Sequence, residues 1–179
     1  MAMECKEFHP YPYQQFCIQH IIDHPAAGLF VDMGMGKTVM TLTAFNYLKY
    51  YAWQIQRCLV IAPKKVAEAT WRTEISGWQH LRHLRCSEVL GTATQRRAAM
   101  AVDADVYVTN RDNVQWLVKE YGKAWPFDMV VLDESSSFKN HQAKRFKALR
   151  AMRPKIKRIV ELTGTPSPHG LMDLWAQVY

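Results

Sequence analysis

Five consecutive residues, Gly34-Met35-Gly36-Lys37-Thr38, carry the most specific chemistry in the chain. They follow the apolar run Gly28-Leu29-Phe30-Val31 and open a segment of helical composition. A strand feeding a glycine turn and then a helix aims several backbone N–H groups, and the positive end of the helix dipole, at one anion-sized space. In such a place Lys37 reaches the outer phosphates of a nucleotide, and the Thr38 hydroxyl can ligate the Mg²⁺ that accompanies them. Only half of a strict P-loop is present, because Val31 stands where the full motif has its first glycine. A glycine turn capping an ordinary helix, with an exposed lysine, is the alternative these residues leave open.

Asp133 and Glu134 form a second candidate, delivered by the apolar run Met129-Val130-Val131-Leu132. In a Walker-B arrangement the first carboxylate holds Mg²⁺, directly or through water, and the second orients and deprotonates the water that attacks the γ-phosphate. Alone, the pair equally suits an acidic strand end capping the next helix through Asp133 or Ser135. With the glycine-Lys-Thr loop upstream, both halves of one Mg-nucleotide site occur in a suitable order.

Positioning these residues requires a parallel sheet. Short runs rich in Val, Ile and Leu alternate with helix-length segments, the pattern of a parallel sheet covered on both faces. The expected strands are Gly28–Asp32, Arg57–Ala62, Ser87–Leu90, Asp105–Thr109, Met129–Leu132 and Arg158–Leu162. The expected helices are Tyr13–Asp23 ahead of them, then Lys37–Tyr51, Val66–Trp78, Thr94–Met100, Asn113–Tyr121, Gln142–Met152 and His169–Val178. In open α/β sheets ligands gather beyond the carboxyl ends of the strands. The residues at those ends are the glycine loop, Pro63-Lys64-Lys65, Asn110-Arg111, Asp133-Glu134-Ser135-Ser136 and Thr163-Gly164-Thr165-Pro166.

The whole chain sets bounds on these candidates. Its 179 residues fit one globular domain, with no repeat, low-complexity tract or internal boundary. The first residues lack the order of a signal peptide, and no apolar run approaches bilayer length, so a soluble cytoplasmic protein is expected, with no membrane partner and no oligomer. Cys5, Cys17, Cys58 and Cys86 are too scattered for a zinc ribbon or redox motif and read as buried free thiols, and the histidines show no metal spacing. The net charge of +7 favours a polyanionic partner. Basic residues from Lys139 to Arg158, with no acid among them, form either a phosphate-tracking surface or the solvated face of a helix. Trp53, Trp78, Trp116 and Trp125 read as core residues.

Taken in order, these motifs resemble the amino-terminal RecA-like lobe of a superfamily-2 helicase-like ATPase, most similar to the Swi/Snf branch. Pro12-Tyr13-Gln14 resembles the segment whose glutamine reads the adenine edge, and Asp32 to Thr38 resembles motif I, in which the branch does not require the first glycine. Val60-Ile61-Ala62-Pro63 with Trp71 resembles motif Ia, and Val106 to Arg111 sits where motif Ib falls. Asp133 to Ser136 resembles motif II, with Ser136 replacing the usual histidine, and Leu162 to Pro166 resembles motif III. This variant motif II points to a compact, bacteriophage-encoded member acting in a bacterial host cell.

The resemblance implies a three-layer α/β P-loop NTPase domain with a mainly parallel central sheet, residues 1–179 forming one lobe. It implies ATP and Mg²⁺ as cofactors. Lys37, Asp133 and Glu134 are then catalytic; Gln14, Gly34, Met35, Gly36, Lys37 and Thr38 hold the nucleotide; Thr38 and Asp133 hold Mg²⁺. Lys64, Asn110 and Arg111 would contact nucleic acid, and Ser136, Thr163 and Thr165 would couple the two sites. His9 and Tyr13 add stacking on the base. The implied partners are duplex DNA, met through its backbone, and a second RecA-like lobe whose arginines neutralise charge on the γ-phosphate, an effect worth roughly 10³–10⁵ in rate. No Gln-x-x-Gly-Arg-x-x-Arg segment occurs in the chain, so the expectation is a DNA-dependent ATPase lobe incomplete as a motor, with little activity alone. A freestanding nucleic-acid-binding or interaction module of the same fold is the alternative, and a P-loop kinase is disfavoured by motifs II and III.

Overall fold

The computed structural model describes residues 5–134 and 144–164. Six strands are present among them: β1 (Ala26–Phe30), β2 (Cys58–Ala62), β3 (Cys86–Val89), β4 (Val106–Asn110), β5 (Met129–Asp133) and β6 (Arg158–Thr163). All pairings are parallel, in the order β1-β6-β5-β2-β4-β3. The helices are α1 (Pro12–Asp23), α2 (Lys37–Tyr50), α3 (Lys64–Gly77), α4 (Ala93–Ala101), α5 (Val114–Tyr121) and α6 (Lys144–Ala151). The α/β architecture expected from the sequence is therefore observed.

Every residue of β2 and β5 is buried, which accounts for their unbroken apolar sequences: both faces are covered. Alternate residues feed two cores. On one face Val60, Ala62, Val131 and Leu162 meet Ile21, Phe45 and Trp71 from α1, α2 and α3. On the other, Leu59, Ile61, Val130 and Leu132 meet Leu117 and Leu149 from α5 and α6. Period-two alternation thus places Asp133, two residues beyond Val131, on the α1–α3 side.

Several boundaries differ from the sequence expectation. β1 starts at Ala26 and stops at Phe30, because the Val31 and Asp32 carbonyls turn aside to accept bonds from Lys37. α3 begins at Lys64, directly after Pro63, which occupies the N-cap with extended backbone. A 3₁₀ turn, Arg111–Asn113, precedes α5. Trp78, Trp116 and Trp125 pack against the two cores, but Trp53 does not. It stands 75% exposed at the turn after α2, with φ +56°, so local turn geometry overrides its apolar character. Cys17 and Cys58 are buried, Cys5 and Cys86 half-buried, and all four are free thiols. The expected helix His169–Val178 lies outside the described residues, as do Lys139, Ser136 and Thr165.

Candidate active site

The glycine loop leaves β1 and re-enters the fold as α2. Gly34 and Gly36 have φ of +81° and +83°, a region that side chains disfavour. Gly36 is also the N-cap of α2, and a Cβ there would come within 2.8 Å of Gln14 Nε2. The backbone angle favours glycine at position 36, and any side chain there would also push the Gln14 amide aside. Lys37 Nζ donates to the carbonyls of Val31 at 2.6 Å and Asp32 at 3.0 Å, so its ammonium rests on its own loop.

α1 braces this loop from below. Tyr13 Oη and Gln14 Nε2 both donate to the Met35 carbonyl, at 3.2 and 3.3 Å. The buried Gln14 amide also accepts from the Tyr11 N–H through Oε1, at 3.0 Å. Tyr13 stacks on Tyr11, whereas His9 is exposed and faces Glu7 at 3.4 Å.

Asp133 closes β5 in a buried position, and its Oδ2 accepts from Trp71 Nε1 at 3.0 Å. Burial raises its carboxyl above the ordinary aspartate value, with the neighbouring Glu134 charge adding, while the Trp71 bond and the Lys37 charge work the other way. Glu134 has φ +53°, a strained backbone for a non-glycine residue. Arg111 Nη2 donates to the carbonyls of Asp133 at 3.1 Å and Glu134 at 3.0 Å, and lies 3.8 Å from Glu134 Oε2. Burial lowers the Arg111 guanidinium below its ordinary value, Glu134 opposing and Arg145 adding. An arginine nonetheless remains charged at any physiological pH.

Thr163 ends β6 opposite Phe30 of β1, which sets Gly164 beside the start of the glycine loop. Asp32, Gly34, Gly36, Lys37, Thr38, Asp133, Glu134, Thr163 and Gly164 together line one cleft of about 730 Å³ at the carboxyl edge of the sheet. Residues from three separate motifs therefore share one space large enough for a nucleotide.

This strand–glycine loop–helix, opposed by a paired-carboxylate strand end, is accompanied by a match to the SNF2-related domain over residues 13–178. The chain belongs to that family. It is 42% identical to putative protein p41 of Acyrthosiphon pisum secondary endosymbiont phage 1 over 97% of its own length and 39% of that protein's. It is 31% identical to the human SWI/SNF-related matrix-associated actin-dependent regulator of chromatin subfamily A member 1, over 83% of the chain and 14% of that protein. The Sulfolobus solfataricus SWI2/SNF2 ATPase core in complex with dsDNA superposes with a TM-score of 0.73 at 28% identity, covering 92% of this chain and 34% of that one. This SNF2-related domain thus spans well under half the length of these relatives, and a phage protein stands among them as the sequence led us to expect.

The remaining expected site residues of the SNF2-related domain fall in different settings. Lys64 begins α3 with its side chain 75% exposed, 3.9 Å from Glu68. Asn110 caps the 3₁₀ turn by accepting from the Asn113 N–H at 3.1 Å. Arg111 turns inward to the carboxylate strand end instead of outward. Sequence reasoning missed three residues: Trp71 as a donor to Asp133, and Thr70 and Glu74 as cleft walls. A signal for the last two existed, since their i,i+4 spacing puts both on one stripe of α3.

Proposed function

We propose that this chain is the ATP-binding lobe of a DNA-dependent ATPase of the translocase type, holding Mg-ATP in the cleft and following the backbone of duplex DNA. The observation that carries this is the convergence of the glycine loop, Lys37, Thr38, Asp133, Glu134 and Thr163 on one cleft. The donor set fits the nucleotide: a left-handed glycine pair frees backbone N–H groups for phosphates, and hard oxygen ligands from Thr38 and Asp133 suit Mg²⁺. When bound, Mg²⁺ neutralises charge on the phosphates.

The protein's own groups then have distinct tasks. Lys37 exchanges the Val31 and Asp32 carbonyls for phosphate oxygens. Glu134 accepts a proton from the attacking water. Gln14 still has one amide hydrogen and one lone pair beyond its bonds to Met35 and Tyr11, enough to read an adenine edge. Thr163, with Ser136 and Thr165, couples the nucleotide to the rest of the lobe. Lys64 and the surplus of positive charge meet DNA phosphates, and a second lobe of the parent protein supplies the arginines that act on the γ-phosphate.

Two measurements test this. Lys37→Ala is expected to abolish Mg-ATP binding in a titration with a fluorescent ATP analogue, and unchanged affinity would refute the site. Binding to duplex DNA of unrelated sequences is expected to weaken steeply with salt and to vary little between them. Strong sequence preference would sink the backbone-tracking assignment.

A further inference from the structure

Arg111 lies where nucleic-acid contacts are expected, yet its guanidinium is spent elsewhere. The residue follows β4, and in the sheet order β5-β2-β4 it must reach across the end of β2 to touch β5. Its side chain is only 15% exposed. One nitrogen, Nη2, bonds two successive carbonyls, those of Asp133 and Glu134, at 3.1 and 3.0 Å, and the same nitrogen lies 3.8 Å from the Glu134 carboxylate. These are the carbonyls of a turn in which Glu134 takes φ +53°. A non-glycine residue keeps such a conformation only where its surroundings over-determine it. A planar, permanently charged guanidinium with fixed donor directions is well suited to that task.

We infer that Arg111 is a positioning residue for Glu134, fixing the left-handed turn that aims this carboxylate into the cleft. It is not a contact to DNA phosphate. The effect on rate rests on the nucleotide function proposed above, whereas the effect on the turn does not. Displacing a reacting group by about 1 Å costs up to about 10²-fold in rate, so loss of the clamp acts on turnover more than on binding.

The experiment compares the full-length parent protein with its Arg111→Ala and Arg111→Lys variants, using Glu134→Gln as control. For Arg111→Ala, single-turnover hydrolysis at saturating Mg-ATP is expected to fall by about 10- to 100-fold. Mg-ATP affinity should stay within about twofold, and duplex affinity and its salt slope should be unchanged. Arg111→Lys should recover part of the rate. Added guanidinium ion should rescue Arg111→Ala but not Glu134→Gln.

Unchanged turnover overturns the inference, and so does a loss of duplex affinity with a salt slope smaller by about one, the mark of a phosphate contact. A fall in melting temperature together with lost Mg-ATP binding also overturns it, by showing a purely structural role. Hydrogen exchange at the Asp133 and Glu134 amides, read without nucleotide, separates the two ideas. Faster exchange in Arg111→Ala, in a chain that neither binds nor hydrolyses ATP, would sink the proposed function and leave the clamp standing. Unchanged exchange in an active chain would sink the clamp alone.

Discussion

Asp133 and Asp105 are both buried carboxylates at strand ends, one at each edge of the same sheet, and their surroundings push them in opposite directions. Asp133 ends β5 at the carboxyl edge, where Trp71 is its one side-chain donor among the described residues, and burial leaves its carboxyl above the ordinary value. Asp105 precedes β4 at the amino edge. It accepts from the Arg85 N–H at 2.7 Å and Tyr50 Oη at 3.3 Å, and pairs with Lys49 Nζ at 2.7 Å. Burial alone would raise Asp105 too, but the Lys49 and Arg85 bonds outweigh it and hold the carboxyl low. One carboxylate is fully spent on the fold. The other lines the cleft with Trp71 as its one side-chain donor among the described residues, and a raised carboxyl in a cleft marks a candidate for a functional role.

The sharpest way to break this contrast is to neutralise each in turn. Asp105→Asn leaves Lys49 facing no charge in a buried place, and breaking such a pair costs about 3–5 kcal/mol. Asp133→Asn should instead raise the melting temperature in buffer free of divalent cations, because the penalty of burying its charge disappears. The pH dependence follows for Asp105. Its folded value lies below its unfolded one, so its contribution is present above the unfolded carboxylate range, about 3.9, and is lost as pH falls through the folded value. The stability gap between wild type and Asp105→Asn should therefore be constant from neutral pH down to about 4 and close below it. Equal destabilisation by both substitutions, read from urea midpoints, would erase the distinction.

A smaller effect is expected at Trp71, the group that couples α3 to the carboxylate edge. Trp71→Phe keeps an aromatic ring in the core but removes the donor to a buried, charged acceptor, a loss of about 1.5–3 kcal/mol. In an Asp133→Ala background the same change should cost about 1 kcal/mol less, since no carboxylate remains to be left unsatisfied. Additive costs in this double-mutant cycle would mean that Trp71 serves only to fill space.

How much of this was legible in the chain depends on the range of the interaction. The glycine loop, the carboxylate pair and the strand runs are local patterns, and the unbroken apolar runs of β2 and β5 mark central strands covered on both faces. The strand order was not legible, because local patterns do not say that β6 inserts between β1 and β5. Nor was the division of labour between the two edges. The partners of Asp133 and Asp105 are separated from them by dozens of residues, Trp71 by 62 and Tyr50 by 55. The direction of the Arg111 side chain was not legible either, because a position just after a strand is equally compatible with facing outward and with reaching the end of β5. Trp53 was misjudged because a single exposed turn outweighs composition.

The smallest expected effect lies within the amino edge itself and tests whether burial is what makes Asp105 special. Asp128 sits before β5 much as Asp105 sits before β4, accepting from the Gln56 N–H at 2.7 Å and pairing with Lys157 at 2.9 Å. The geometry resembles the Lys49–Asp105 pair, but the Lys157 side chain is 62% exposed where that of Lys49 is 14% exposed. Solvent screens an exposed pair, so Lys157→Ala should cost less than about 1 kcal/mol and less still in high salt. Lys49→Ala should cost several-fold more and respond weakly to salt, since it strands a carboxylate that water cannot reach. If the two lysine substitutions shifted urea midpoints equally at low and high salt, the number of partners rather than exclusion of water would have to explain the difference between the sheet's two edges.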